Sequence, residues 1–179
     1  YASTNENKLE AMRGLLRCQY KQAKYSDALT NAQELLQQKN IATDDKMMAN
    51  IVIAKTYQNN NQLLEATNAY KQVIALGKSE YSAEARFRLA EILLAQGKLT
   101  DAEKAAFDVV NKAGSYEFWI TKSYILLGEV YLQQKDYFNA EATLKSVVDN
   151  ATISSLQTEA KAKLDIVLAE KEKNSKVTP

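Results

Sequence analysis

The chain has 179 residues, 46% of them apolar and 25% charged, a balance that argues against disorder. Lysine and arginine number 23 against 22 aspartates and glutamates, and a net charge of +1 supplies no field to hold a nucleic acid. With no histidine and a single cysteine, the commonest general base and metal ligand is missing and no internal disulfide can form.

Proline occurs once, at Pro179, and glycine five times, so long helices joined by short connections are expected rather than strands and turns. No apolar run approaches the roughly 20 residues needed to cross a bilayer. In chain order, residues 1–7 read as a lead-in that starts at Tyr1 without an initiator methionine or signal segment, as in a piece of a longer protein. Helix pairs are expected over about 8–42, 43–79, 80–114 and 115–153, followed by one helix over 154–173 and a polar tail at 174–179.

These boundaries rest on internal periodicity. An aromatic or leucine followed three residues later by alanine occurs as Tyr25 with Ala28, Leu63 with Ala66, Leu99 with Ala102 and Tyr137 with Ala140. The alanines are 38, 36 and 38 residues apart. Leu15, Ile53, Leu89 and Leu127 precede them in constant phase, with Leu16, Ala54, Ala90 and Gly128 next in line. Leu35, Val73, Val109 and Val147 follow at a spacing of seven. Small residues recur because antiparallel helices approach within about 8–10 Å only where side chains at the crossing are small. A pair alone leaves an apolar face exposed, and stacking pairs buries it.

Capping signals place helix starts at the Thr100–Glu103 and Ser154–Gln157 boxes, with Ser26 and Asp136 as further N-caps. Cys18, one turn from Leu15, reads as a buried small hydrophobe. The cluster Tyr116, Phe118 and Trp119 reads as packing where the fourth pair docks on the third, with an exposed aromatic anchor as the alternative. No phosphate loop, nucleophile elbow or metal-binding helix motif is present, so no catalytic site, metal or cofactor is expected.

The columns resemble the tetratricopeptide repeat, with a small residue at its eighth position, tyrosine at its eleventh and alanine at its twentieth. Gly128, Tyr131 and Ala140 match best, then Ala54, Tyr57 and Ala66. Met12, Asn50, Arg86 and Tyr124 stand where the repeat has tryptophan, and the closing proline is missing throughout. Such long, proline-poor repeats are similar to those of bacterial envelope proteins, among them the periplasmic coordinator associated with the Tol-Pal system. The resemblance implies an all-α, right-handed α-solenoid of four repeat-like pairs closed by a capping helix, about nine helices in all. It also implies a periplasmic or envelope-associated setting, with a cytoplasmic one as the alternative.

In repeats of this family the concave wall comes from the first helices. Carried over by register, the resemblance implies a partner-binding face of Arg13, Arg17, Tyr20, Ile51, Lys55, Phe87, Glu91, Leu94, Ile125, Glu129 and Leu132. One end would be basic, through Arg13, Arg17 and Lys55, and would prefer an acidic segment. The other would offer apolar residues beside Glu91 and Glu129, either open to a docking partner or packed against neighbouring first helices. The function implied is a protein-interaction scaffold that binds a peptide or helix, with no enzymatic activity, nucleic-acid binding or membrane insertion. Two rivals are a spacer that self-associates through the Ala2–Ala11 face of an uncapped first pair, and, further behind, a carbohydrate-handling or enzymatic module.

Overall fold

The computed structural model describes residues 3–175. Among them lie nine α-helices and no strand: α1 (Ser3–Lys21), α2 (Tyr25–Leu36), α3 (Thr43–Asn59), α4 (Leu63–Leu76), α5 (Glu80–Ala95), α6 (Leu99–Lys112), α7 (Glu117–Gln133), α8 (Tyr137–Asn150) and α9 (Ser154–Ser175). The fold is the all-α helical-repeat type that the periodicity predicts. Of the outermost residues expected to form the lead-in and the tail, 1–2 and 176–179 lie outside the described residues.

Two compact units divide the chain, Tyr1–Ala85 and Arg86–Pro179. In the first, α1 packs on α2, α2 on α3 and α3 on α4, while α1 also touches α3. In the second, α6 packs on α7, α7 on α8 and α8 on α9, with α7 also against α9. Sequential antiparallel packing with contact between alternate helices is how a repeat buries a face it cannot cover alone.

The periodic columns become the core. Ala28, Ala66, Ala102 and Ala140 are fully buried, as are Leu35, Val73 and Val109, and Val147 is nearly so. At the eighth position Leu16, Ala54 and Ala90 are fully buried. Gly128 faces Leu144 so closely that an added Cβ would lie 2.5 Å from the leucine Cγ. One register position, Leu15, stays exposed where Ile53 and Leu127 are buried.

The turn inside each pair is built the same way four times. Ala23, Asn61, Gly97 and Lys135, in matching register, hold φ of 59°, 60°, 70° and 61°. Each donates its N–H three residues back, to Tyr20, Gln58, Leu94 and Leu132. The following N–H reaches five residues back, to Gln19, Tyr57, Leu93 and Tyr131. This is the left-handed helix stop that satisfies the last carbonyls of the first helix. Glycine suits it best, yet only Gly97 is glycine.

The helix starts correct part of the sequence reading. Asp136 caps α8 as expected, accepting the Asn139 N–H at 3.1 Å. Ser26 and Thr100 instead lie within α2 and α6, whose N-caps are Lys24 and Lys98 without side-chain caps. The preceding stop already fixes the chain direction there, so a capping side chain is dispensable. At α9, which opens on Ser154, the Gln157 amide donates to the carbonyls of Ala151 at 2.8 Å and Val148 at 3.4 Å, tying off the end of α8.

Candidate functional site

Two groups of side chains from the first helices are candidates, one in each unit. In the unit of residues 1–85 the expected basic end is not basic. Arg13, on α1, donates from Nε and Nη2 to both carboxylate oxygens of Asp45 at 2.7 Å, a two-pronged pair largely out of solvent. Its Nη1 also meets Glu10 at 2.9 Å and Glu6 at 3.2 Å. The hydrogen bonds Arg13 donates to Asp45, Glu10 and Glu6 raise its pKa and lock the guanidinium in its charged form. Three carboxylates on one cation leave no attraction to spare for an acidic ligand.

Lys55, on α3, is spent in the same way. Its ammonium lies 2.7 Å from Glu84 and 4.9 Å from the centre of the Tyr20 ring. Burial pushes the Tyr20 hydroxyl pKa up, against the opposing pull of Lys55. Arg17 lines an open cleft of about 300 Å³, whose other walls include Asp44, Asp45 and Glu80. Ile51, counted on the docking face, is 4% exposed, so of the two readings of the apolar residues it takes the packed one. Register along the first helices shows these cations but not the carboxylates that fold onto them.

In the unit of residues 86–179 the register gathers its residues into one place. Phe87, Glu91, Leu94, Ile125 and Glu129 line a single cleft of about 400 Å³, together with Lys122, Gln133, Glu159 and Lys163. Two of the expected apolar contacts need correction. Phe87 and Ile125 are 2% and 1% exposed, so they form the floor of the cleft and not a surface. Leu94 remains half-buried at the wall. Leu132 lies apart, in a groove of about 70 Å³ that shares Glu129 and Lys163 with the cleft and adds Leu144 and Ile166.

Packing of aromatics sets the floor. Trp119, near the start of α7, lies 5.5 Å from Phe87 between ring centres, and Phe118 meets it edge-on at 4.9 Å. The expected packing role holds for Trp119, which is buried, while Tyr116 and Phe118 stay at the surface. The rim is a set of ion pairs. Lys122 donates to both oxygens of Glu159 at 2.8 and 3.1 Å. Lys163 meets Glu129 at 2.8 Å, and Arg88 meets Glu91 at 2.8 Å.

Glu159 and Lys163, on α9, were absent from the expected site because that helix reads as a solvating end. Its likeness to a first helix, carried by Glu159, Ala160 and Leu164, was the available signal. Cys18 also departs from expectation: it is exposed, and its Sγ accepts from the Gln22 amide at 3.2 Å. Among the described residues no cluster of histidine, cysteine and carboxylates could hold a metal ion, and no helix is long and apolar enough to cross a membrane.

Comparison with known proteins agrees with the repeat geometry. Two family models, both described as "Tetratricopeptide repeat", match residues 51–117 and 121–151, together more than half of the chain. The chain belongs to the tetratricopeptide-repeat family. No curated protein matches it significantly. Among solved structures it is similar to nearly identical TPR-like repeats from Podosopora anserina, at 18% identity and a TM-score of 0.68 over 94% of this chain and 89% of that one. BtubC from P. vanneervenii is similar at 14% identity and a TM-score of 0.66, covering 95% and 82%. A thermophilic TPR protein of Thermus thermophilus is similar at 17% identity and a TM-score of 0.65, covering 90% and 84%. At such identities the likeness is one of fold.

Proposed function

We propose that this tetratricopeptide-repeat chain is a protein-binding scaffold without catalytic activity, and that it grips a peptide or helix of its partner in the cleft lined by α5, α7 and α9. Repeats of this family serve as protein-interaction modules. The observation that carries the reading is the cleft itself: about 400 Å³ in volume, an apolar floor, and a charged rim open to solvent. Pockets of this size and mixed lining suit an anchoring side chain held by a few polar groups.

A photo-crosslinking side chain placed at Gln133, which lines the cleft and is exposed, tests this. Crosslinks to one partner that vanish with Leu94→Glu support cleft binding. Crosslinks only from a probe at exposed Phe107, on α6, move the contact to the outer helices. Phe87→Glu is unsuitable as a surface variant, because it puts a charge into the core.

Self-association has one observation in its favour, the exposure of Leu15 on α1. Of the Ala2–Ala11 face assigned to it, Ala2 lies outside the described residues. A dimer in sedimentation that Leu15→Glu dissociates would favour this reading, and a monomer at all concentrations would end it. The length and lack of proline of the repeats support a periplasmic or envelope-associated setting. Recovery of the native protein in the cytosolic fraction of its source cells would remove that part of the proposal.

A further inference from the structure

The helices α1 and α9 differ in what they leave bare. The third, seventh and tenth positions of the repeat fall on one side of its first helix, a turn apart. On α3 they are Ala49, Ile53 and Thr56, and on α7 Ser123, Leu127 and Val130, all buried. On α9, which keeps the register of a first helix, they are Ala160, Leu164 and Val167, again buried. On α1 they are Ala11, Leu15 and Cys18, and all three are exposed, Leu15 by 48%. The neighbours account for the difference. α9 packs on the two helices before it, α8 and α7, whereas α1 packs on the two after it, α2 and α3. This side of a first helix is the one that the preceding pair covers.

The residues on α1 suit such a cover. Ala11, Leu15 and Cys18 repeat the small, large and medium sizes of Ala49, Ile53 and Thr56. Gly14, beside them, weakens the helix, and a Cβ there would meet nothing within 4 Å. The same position is Val52 on α3 and Leu126 on α7, both buried. The open side of α9 is built for water instead. Its eighth position, where the other first helices hold Leu16, Ala54, Ala90 and Gly128, is Asp165. Asp165 pairs with Lys161 at 2.8 Å, both well exposed, beside partly exposed Leu168.

We propose that the bare side of α1 takes the second helix of a further tetratricopeptide-type pair lying ahead of it in the same polypeptide. That helix carries an apolar row like that of α8, whose Leu144 and Val147 share one core with Ala160, Leu164 and Val167. Chain order favours this source. The helices α2, α6 and α8 reach α3, α7 and α9 across the short connections 37–42, 113–116 and 151–153. In each case the cover arrives tethered, at high effective concentration. A second copy of this chain fits less well, because its α2, α6 and α8 are already engaged by the helix that follows each.

Cys18 reports the cover. Its alkylation by iodoacetamide is followed by mass spectrometry in the native polypeptide from its source and in the 179-residue chain alone. Reaction in the native polypeptide is expected to be at least about tenfold slower, since a covered thiol reacts only on local opening. Leu15→Lys should leave the circular dichroism melting of the 179-residue chain unchanged and return Cys18 of the native polypeptide to the fast rate. Equal rates in the two proteins overturn the proposal, as does a native polypeptide with no helix pair ahead of α1. Protection in the 179-residue chain that grows with its concentration also overturns it and gives the face to a second copy. Slow reaction that Leu15→Lys leaves slow overturns it too, because the cover then lies elsewhere.

Discussion

The first and fourth helix pairs solve the same crossing with opposite residues. In the first, Leu16 occupies the eighth position of the repeat, and the matching place on the second helix, four residues past the register alanine, is Ala32. In the fourth the sizes are exchanged, with Gly128 on the first helix and Leu144 on the second. All three side chains are completely buried. What the crossing requires is one small partner; which helix supplies it is free, because only the combined volume must fit the gap. At the same two positions the second pair carries Ala54 and Tyr70 and the third carries Ala90 and Ala106, so the sizes are divided differently from pair to pair.

The largest expected effects come from upsetting that division. Leu144→Ala leaves a cavity beside Gly128 and should destabilise the protein by about 2–5 kcal/mol. Gly128→Ala overfills the same place and should cost about 1–3 kcal/mol, since the new Cβ meets Leu144 at 2.5 to 3.0 Å. Combined, they recreate the Ala–Ala composition of the third pair, and the double variant should lose less than the sum of the singles. Denaturant melts of the four proteins check this. Strict additivity would mean that the two positions do not share a volume.

The four intra-pair turns sharpen the contrast at a smaller scale. Lys135 and Ala23 hold a left-handed conformation that costs a side-chain-bearing residue roughly 1–2 kcal/mol, and Gly97 holds it freely. Lys135→Gly should therefore leave stability level or raise it by up to about 1 kcal/mol. Gly97→Ala should lower it by about 1 kcal/mol, although no atom lies within 4 Å of the added Cβ. Thermal melts that show Gly97→Ala to be neutral would remove backbone strain from the account of these turns.

The smallest effect is one of pH. Burial pushes the Asp108 carboxyl up, but hydrogen bonds from Lys112 and Arg86 outweigh it and hold the group below the ordinary carboxylate range. A depressed folded pKa contributes stability above the unfolded value, near about 4, and the contribution is lost as pH falls through the folded one. Asp108→Asn should then lower stability slightly at neutral pH and flatten the acid side of the stability curve. An unchanged acid limb would remove this ion pair from the acid response.

The binding faces repeat the lesson of the crossings. Arg13 and Lys55 read as a basic surface in sequence, because the register of one helix shows its own charges and not those brought onto it. Asp45 lies 32 residues from Arg13, and Glu84 lies 29 from Lys55. Such pairings depend on how one helix settles on the next. In the other unit residues of matching register, Glu91, Leu94 and Glu129, line one cleft, since successive first helices keep their positions in phase.

The repeat, its helices and the alanine and valine columns of the core are legible along the chain, because a period of 36 to 38 residues is local chemistry written four times. Packing between helices settles that Phe87, Ile51 and Ile125 are buried, that α9 supplies Glu159 and Lys163 to the cleft, and that Ala23 and Lys135 turn left-handed. Periodicity tells each residue which way it faces. What stands opposite, and whether space or water is left between, is set by neighbouring helices whose side chains vary from pair to pair.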